Sequence, residues 1–399
     1  VLTQEGTLTA RRTVEANSTE VFRAFTNTGA LRDWLCNGGQ VEPRKGGRVY
    51  LWWNNGYYTS GVFTEVKPGE SLAFTWQGPG EPASEVHVSL TSRDGGTDVE
   101  VTHDGITSSE MAERARRLWE EGLENLQSMV ETGDDLRFTR RPMFGLNDAD
   151  EMTPEIGEQI GVPVTEGLRL KGLVAGMGAE AAGFQKDDVV VAIGDKDVLN
   201  YQTFVAAIEP HRAGDRVPVT FYRGPEKRTI EMELSARSMP EVPTTVETLV
   251  EGARQMYATL DKELDELLEG VTEEDAEKSP APGEWSTKMV LAHLIASERD
   301  TQVWIAAMTE DFDLEQPYHS NSPERLQAMV SVYSPLPALV EELKRSEAVT
   351  VALAASLSEV TAGHKHWFKQ LATWLTGLQV HHREHFGEIK KLIESGQEG

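Results

Sequence analysis

Two stretches decide how the last part of this chain folds: GEWSTKMVLAHL (283–294) and VHHREHFGEI (380–389). In the second, His381 and His385 stand four apart, and residues four apart share one face of a helix. That face continues through Trp374, Leu378, Glu388 and Ile389, so it points inward apart from the carboxylate. In the first stretch, His293 shares a face with Met289, Val290, Ala296 and Trp304. Two inward-facing helices can therefore bring three imidazoles to one point. Neutral imidazoles on convergent side chains are what a divalent metal needs, and three of them leave coordination positions open. Spacing alone equally allows histidines that are satisfied within a core. His382, offset by one position, is expected to face out. His364 and His366 are expected in a polar loop, solvated. Glu298, Asp300 and Glu388 are the candidate general bases nearby.

Around these stretches the pattern from Thr244 onward is helical. Val246, Leu249, Val250, Ala253, Tyr257, Leu260, Leu264 and Leu267 keep a 3.6-residue period. Ser286 begins a second helix, and Ser322-Pro323 caps a third. Ser334-Pro335-Leu336-Pro337 must interrupt that third pattern, and a fourth runs from about Trp367 to Ser395. Four helices of this length imply a bundle.

The same residues, GEWSTKMVLAHL followed by HHREHFGEI, resemble the DinB-like four-helix bundles, a family that includes metal-dependent thiol transferases. The resemblance implies that His293, His381 and His385 bind zinc or nickel. A metal held with open positions lowers the pKa of a bound water or thiol.

Upstream, residues 137 to 240 read as a second unit. Short β-runs (GLRLKGLVA, VVVAIG, RVPVTFYR, TIEMEL) surround two helical pieces, Thr153–Ile160 and Tyr201–Ile208, before a linker at Met239-Pro240-Glu241-Val242-Pro243. RRPMFGLNDAD (140–150), TPEIGEQIGVP (153–163) and GLRLKGLVAGMGAEAAGFQKDDVVVAIGDKDV (167–198) resemble the PDZ domains of HtrA-type proteases. That resemblance implies a sandwich or barrel-like β domain that binds a peptide C-terminus as an added strand. The carboxylate-binding loop would be Phe144-Gly145-Leu146, with Phe204 and Ile208 as groove walls. Two positions depart from the family pattern: Gly178 stands where the family has Pro, and Asp187 where it has Gly. No Gly-x-Ser-x-Gly accompanies the domain, so no protease domain is expected.

Residues 1 to 136 are strand-rich. A cap at Asn17-Ser18 predicts one helix over Glu20–Leu35. A meander follows through GRVYLWW, YYTSGVFTEV, SLAFTW, EVHVSL and TDVEVTH, with turns at Asn54-Asn55-Gly56, Lys67-Pro68-Gly69 and Asp94-Gly95-Gly96. A closing helix spans about Ser109 to Thr132. EANSTEVFRAFTNTGALRDWL, RKGGRVYLWWNNGYYTSGVFTEVKPGESLAFTW and GGTDVEVTHDGI resemble the SRPBCC helix-grip superfamily, nearest its Aha-type, START-like branch. The resemblance implies a ligand cavity that Trp34, Trp52, Tyr58 and Trp76 could line. The same aromatics can equally be plain core. His87 and His103 are expected to face solvent or to hydrogen-bond within the sheet.

The whole chain is thus expected to be a multidomain α+β protein. It joins a helix-grip domain (1–136), a PDZ domain (137–240) and an all-α four-helix bundle (241–399). Its 399 residues carry 65 acidic and 38 basic side chains, a formal net charge of −27. Such a surface repels phosphate backbones and anionic membranes, so neither is an expected partner. No apolar run approaches the roughly 18 residues of a membrane span, and VLTQEGTLTA has no signal-peptide pattern. The lone cysteine, Cys36, excludes an internal disulfide and fits a reducing cytoplasm. Three functions stay open: an adaptor binding a peptide tail, an apolar ligand or a protein client; a metal-dependent transferase or hydrolase acting on a small, thiol-bearing substrate; and a co-chaperone that activates an ATPase.

Overall fold

The structure is a computed structural model, and it describes residues 6–237, 239–310 and 320–397. The chain forms two compact units, Val1–Gly133 with Pro240–Gly399, and Asp134–Met239.

The first unit opens with β1 (Leu8–Val14), α1 (Ser18–Thr26), α2 (Thr28–Trp34), β2 (Gly38–Val41), β3 (Arg48–Trp52), β4 (Tyr58–Lys67), β5 (Ser71–Trp76), β6 (Ser84–Arg93), β7 (Gly96–Asp104) and α3 (Ser109–Thr132). The strands form one antiparallel sheet in the order β1-β7-β6-β5-β4-β3-β2. Asn27 splits the helix expected over Glu20–Leu35. Its backbone is extended (φ −107°, ψ 131°), it ends α1, and its side chain accepts from Ala30 N to start α2. β2 was not expected, because GGQV has little strand propensity; its Gly38 lets the Trp52 ring lie close, since a Cβ there would come within 2.6 Å of that ring. One face of α3 buries Met111, Ala115, Trp119, Leu123, Leu126 and Met129 in the core beside the sheet.

The second unit contains α4 (Leu136–Thr139), β8 (Leu146–Glu151), α5 (Pro154–Ile160), β9 (Leu168–Leu173), α6 (Gly178–Ala181), β10 (Val189–Ile193), β11 (Lys196–Asp197), α7 (Tyr201–Ile208), β12 (Arg216–Arg223) and β13 (Glu226–Glu233). Its sheet runs β13-β12-β10-β9-β8, with β11 beside β10, so β8 is an edge strand.

The remainder of the first unit is helical: α8 (Val246–Leu267), α9 (Glu273–Glu277), α10 (Thr287–Thr309), α11 (Pro323–Val332), α12 (Leu336–Ala355), α13 (Glu359–Gly363) and α14 (Lys365–Gln397). As expected, Ser286 caps α10 and Ser322 caps α11 ahead of Pro323, and the Pro335 break separates α11 from α12. The long helices α8, α10, α12 and α14 enclose one apolar core. No helix among the described residues is long and apolar enough to cross a membrane.

Candidate metal centre

Burial on α10 is nearly continuous. Every residue from Val290 to Glu298 is buried, His293 among them. His381 and His385 approach it from α14 and are partly exposed. The Nε2 atoms of His293 and His381 are 3.0 Å apart, and those of His385 and His381 are 3.2 Å apart.

Hydrogen bonds on the far side of two rings fix their tautomers. His293 Nδ1 lies 2.8 Å from Asn321 Oδ1, and His385 Nδ1 lies 2.8 Å from Glu388 Oε2. Both oxygens can only accept, so both Nδ1 atoms carry the proton. The Nε2 atoms of His293 and His385 therefore present bare lone pairs toward the third ring. Tetrahedral bonds of about 2.0–2.1 Å to a single ion place ligand nitrogens about 3.3 Å apart, close to the separations seen. Outer hydrogen bonds of this kind orient metal-binding histidines. The donor set fits a divalent ion, and it is the only such cluster of three ligating groups among the described residues. The Trp285 ring stands over the cluster, 5.1 Å from His293 and 6.4 Å from His385.

His382 does not face out: it is fully buried. The centre of the inward stripe on α14 runs through Leu371, Leu375, Leu378, His382, Phe386 and Ile389, and His381 and His385 flank it. His382 Nδ1 donates to Leu378 O at 2.9 Å, while its Nε2 lies 3.3 Å from Glu347 and 3.7 Å from Glu298. Glu298 accepts from Tyr257 at 3.0 Å and from Thr350 at 2.6 Å. It therefore belongs to a separate buried cluster and is not a base beside the three imidazoles. Burial raises its carboxyl pKa. Burial, then the charges of Asp261 and Glu298, push Glu347 up to about 10. Asp300 is taken up by a two-point pair with Arg325 at 2.9 and 2.7 Å. Of the three candidate bases only Glu388 touches the site. Asn321, which sequence reading missed, stands just before the Ser322 cap.

His364 and His366 are not loop residues free in solvent. His364 ends α13 and lies 3.5 Å from Glu20, and His366, in α14, bonds Gly133 O and Gln370. His103 is buried rather than solvent-facing, with Trp119 Nε1 at 3.2 Å and Ser84 Oγ at 2.9 Å.

The four aromatics considered for a cavity divide between two faces. Trp34 and Trp76 are in the core. Strand alternation puts Trp52 and Tyr58 on the other face, 40% and 42% exposed, so the four do not line one cavity. In the second unit, Phe144, Phe204 and Ile208 pack in the core, and the Phe144 and Phe204 rings are 5.1 Å apart, edge to face. Gly145 has φ +97°, and a Cβ there would meet Met177 at 2.6 Å. Leu146 begins the edge strand β8. The opposite end of β8 meets α7, where Glu151 accepts from Tyr201 N at 3.1 Å.

Three family models match the chain in N-to-C order. Residues 15–131 match Activator of Hsp90 ATPase homolog 1-like protein, 145–234 match the PDZ domain, and 255–389 match the DinB superfamily. The chain is therefore an α+β protein with an Aha-type helix-grip domain, a PDZ domain and a DinB-like helical domain. Among curated proteins it is similar to the serine protease Do-like HtrA of Lactococcus lactis subsp. cremoris, 28% identical over 149 residues, covering 36% of this chain and 33% of that protein. The same protein from subsp. lactis is 29% identical over 99 residues, covering 24% of each. The chain thus spans a third or less of the length of these relatives. Similar solved structures include CalU16 from Micromonospora echinospora, 26% identical, covering 31% of this chain and 74% of that one, at a TM-score of 0.28. The Aha1 dimer from Colwellia psychrerythraea is 19% identical, covering 31% of this chain and 94% of that one, also at 0.28.

Proposed function

We propose that this chain is a multidomain binding protein whose bundle holds one divalent ion, zinc or nickel, on His293, His381 and His385. The observation that carries this reading is the convergence of three Nε2 atoms with two of the far-side protons already committed. In the middle domain a peptide C-terminus would add along the free edge of β8, its carboxylate at Phe144-Gly145-Leu146. A basic or neutral tail suits the net charge of −27. The N-terminal domain would hold a small apolar ligand or a protein client. Nucleic acid and membrane surfaces are not proposed partners, and the lone, buried Cys36 suits a cytoplasmic setting.

A second reading is a metal-dependent enzyme of the thiol-transferase or hydrolase type. It is favoured by a ligand set of three, which leaves a coordination position for a water or thiol. When bound, the ion supplies Lewis acidity at that position. The chain's own contribution would be to orient His385 through Glu388, orient His293 through Asn321, and cover the site with Trp285. Metal analysis of tag-free protein, with a turnover screen on thiol-bearing substrates, separates the readings. A filled site without turnover supports the binding protein; turnover lost in His381→Ala supports the enzyme.

A further inference from the structure

We propose that the buried cluster of Tyr257, Glu298, Glu347, Thr350 and His382 sets the register of α14, and so places His381 and His385 opposite His293. The inference rests on the metal reading above and makes His382 a positioning residue rather than a ligand.

The need for such a device follows from α10. Burial on every side from Val290 to Glu298 gives this helix no amphipathic stripe there, so its apolar pattern cannot choose which face meets α14. Apolar cores tolerate repacking, whereas buried polar groups can fix register. Here the polar contacts join four helices: Tyr257 on α8, Glu298 on α10, Glu347 and Thr350 on α12, and His382 on α14. The His382 ring is hydrogen-bonded at one end and faces two carboxylates at ion-pair distance with the other. Nδ1 is tied to Leu378 O on its own helix, so Nε2 is left to face Glu347 and Glu298. Glu298 is itself held by two hydroxyls.

The leverage is large. Turning α14 by about 20° would sweep a ring nitrogen through about 2 Å. Metal ligands must sit within about 0.2 Å of their place. His382 is the immediate neighbour of His381, and Glu298 is five residues from His293 on the same helix. Each side of the imidazole trio is thus rigidly coupled to the cluster.

The test compares wild type with Tyr257→Phe/Glu298→Met/Glu347→Met/His382→Leu, in which four of the five cluster residues become apolar and Thr350 keeps its bond to Ser346 O. Zinc affinity is measured by chelator competition on the full chain, and folding by circular dichroism and urea unfolding. The expected result is a cooperatively folded variant that binds zinc about 10- to 100-fold more weakly. A folded variant with wild-type affinity would overturn the inference and leave the metal reading intact. An unfolded variant would also overturn it, since the cluster would then be required for the fold rather than its register. Wild type that binds neither zinc nor nickel would overturn both.

Discussion

His103 shows how burial decides where a proton goes. Trp119 Nε1 can only donate, so His103 Nδ1 accepts and its Nε2–H is given to Ser84, whose own hydroxyl donates to Trp76 O at 3.0 Å. The ring is fully used as a neutral group, and burial lowers its pKa from 6.5 to about 4. Below pH 6.5 the unfolded chain takes a proton that the folded chain refuses until about pH 4. Stability is therefore full above 6.5 and falls as pH drops through this window, by about 3 kcal/mol in all. Urea midpoints from pH 7.5 to 4.5 should fall more steeply in wild type than in His103→Gln; equal slopes would contradict the assignment. Glu347 has the opposite sign. Its carboxyl is raised from 4.5 to about 10, so stability is full below 4.5 and is lost as pH rises toward 10. Glu347→Gln should match wild type at pH 5 and exceed it at pH 8, read again from urea midpoints. The sequence made His381, His385 and Glu388 legible because four-residue and three-residue spacings survive any small error in helix phase. It misplaced His382 because adjacent residues differ by about 100°, and only packing shows which of two neighbours lies at the centre of the stripe.

At the level of elements, most boundaries follow from local chemistry, and the misses have local causes too. Caps at Ser286 and Ser322 and the break at Pro335 could be read directly. The split at Asn27 could not, because a residue that both ends one helix and begins the next leaves the apolar pattern nearly unbroken. The two departures in the middle domain now have a physical account. Asp187 adopts φ +72°, the left-handed conformation that glycine takes easily, and is braced by Arg169 at 2.8 Å. Gly178 donates its N–H to Ser235 Oγ at 2.7 Å, and a Cβ there would lie 2.0 Å from Glu233 O. Proline at this position would lose the bond and clash. Gly178→Pro should lower the stability of this domain by roughly 1–3 kcal/mol, through the lost bond and the clash, measured by denaturant unfolding; an unchanged midpoint would contradict this assignment.

For the whole molecule, the N-terminal domain and the bundle form one compact unit although the middle domain separates them in sequence. Their junction is polar and specific. Trp367 donates to Asp33 at 3.1 Å and lies under Arg23 at 4.6 Å, while Lys365 and His366 reach Glu131 O and Gly133 O at the end of α3. Cationic and donor side chains suit a helix C-terminus. No sequence pattern announces this pairing, since its partners are more than 230 residues apart. Trp367→Ala should uncouple the two parts, so that a calorimetric trace gains a transition; an unchanged trace would mean the junction does not couple them. The three imidazoles lie on the bundle side of this unit, and their most direct test is zinc titration of tag-free protein by calorimetry. One equivalent is expected to bind per chain and to be lost in His381→Ala while the helical signal is kept. Wild type that binds none, or a His381→Ala chain that binds as wild type does, would contradict that expectation.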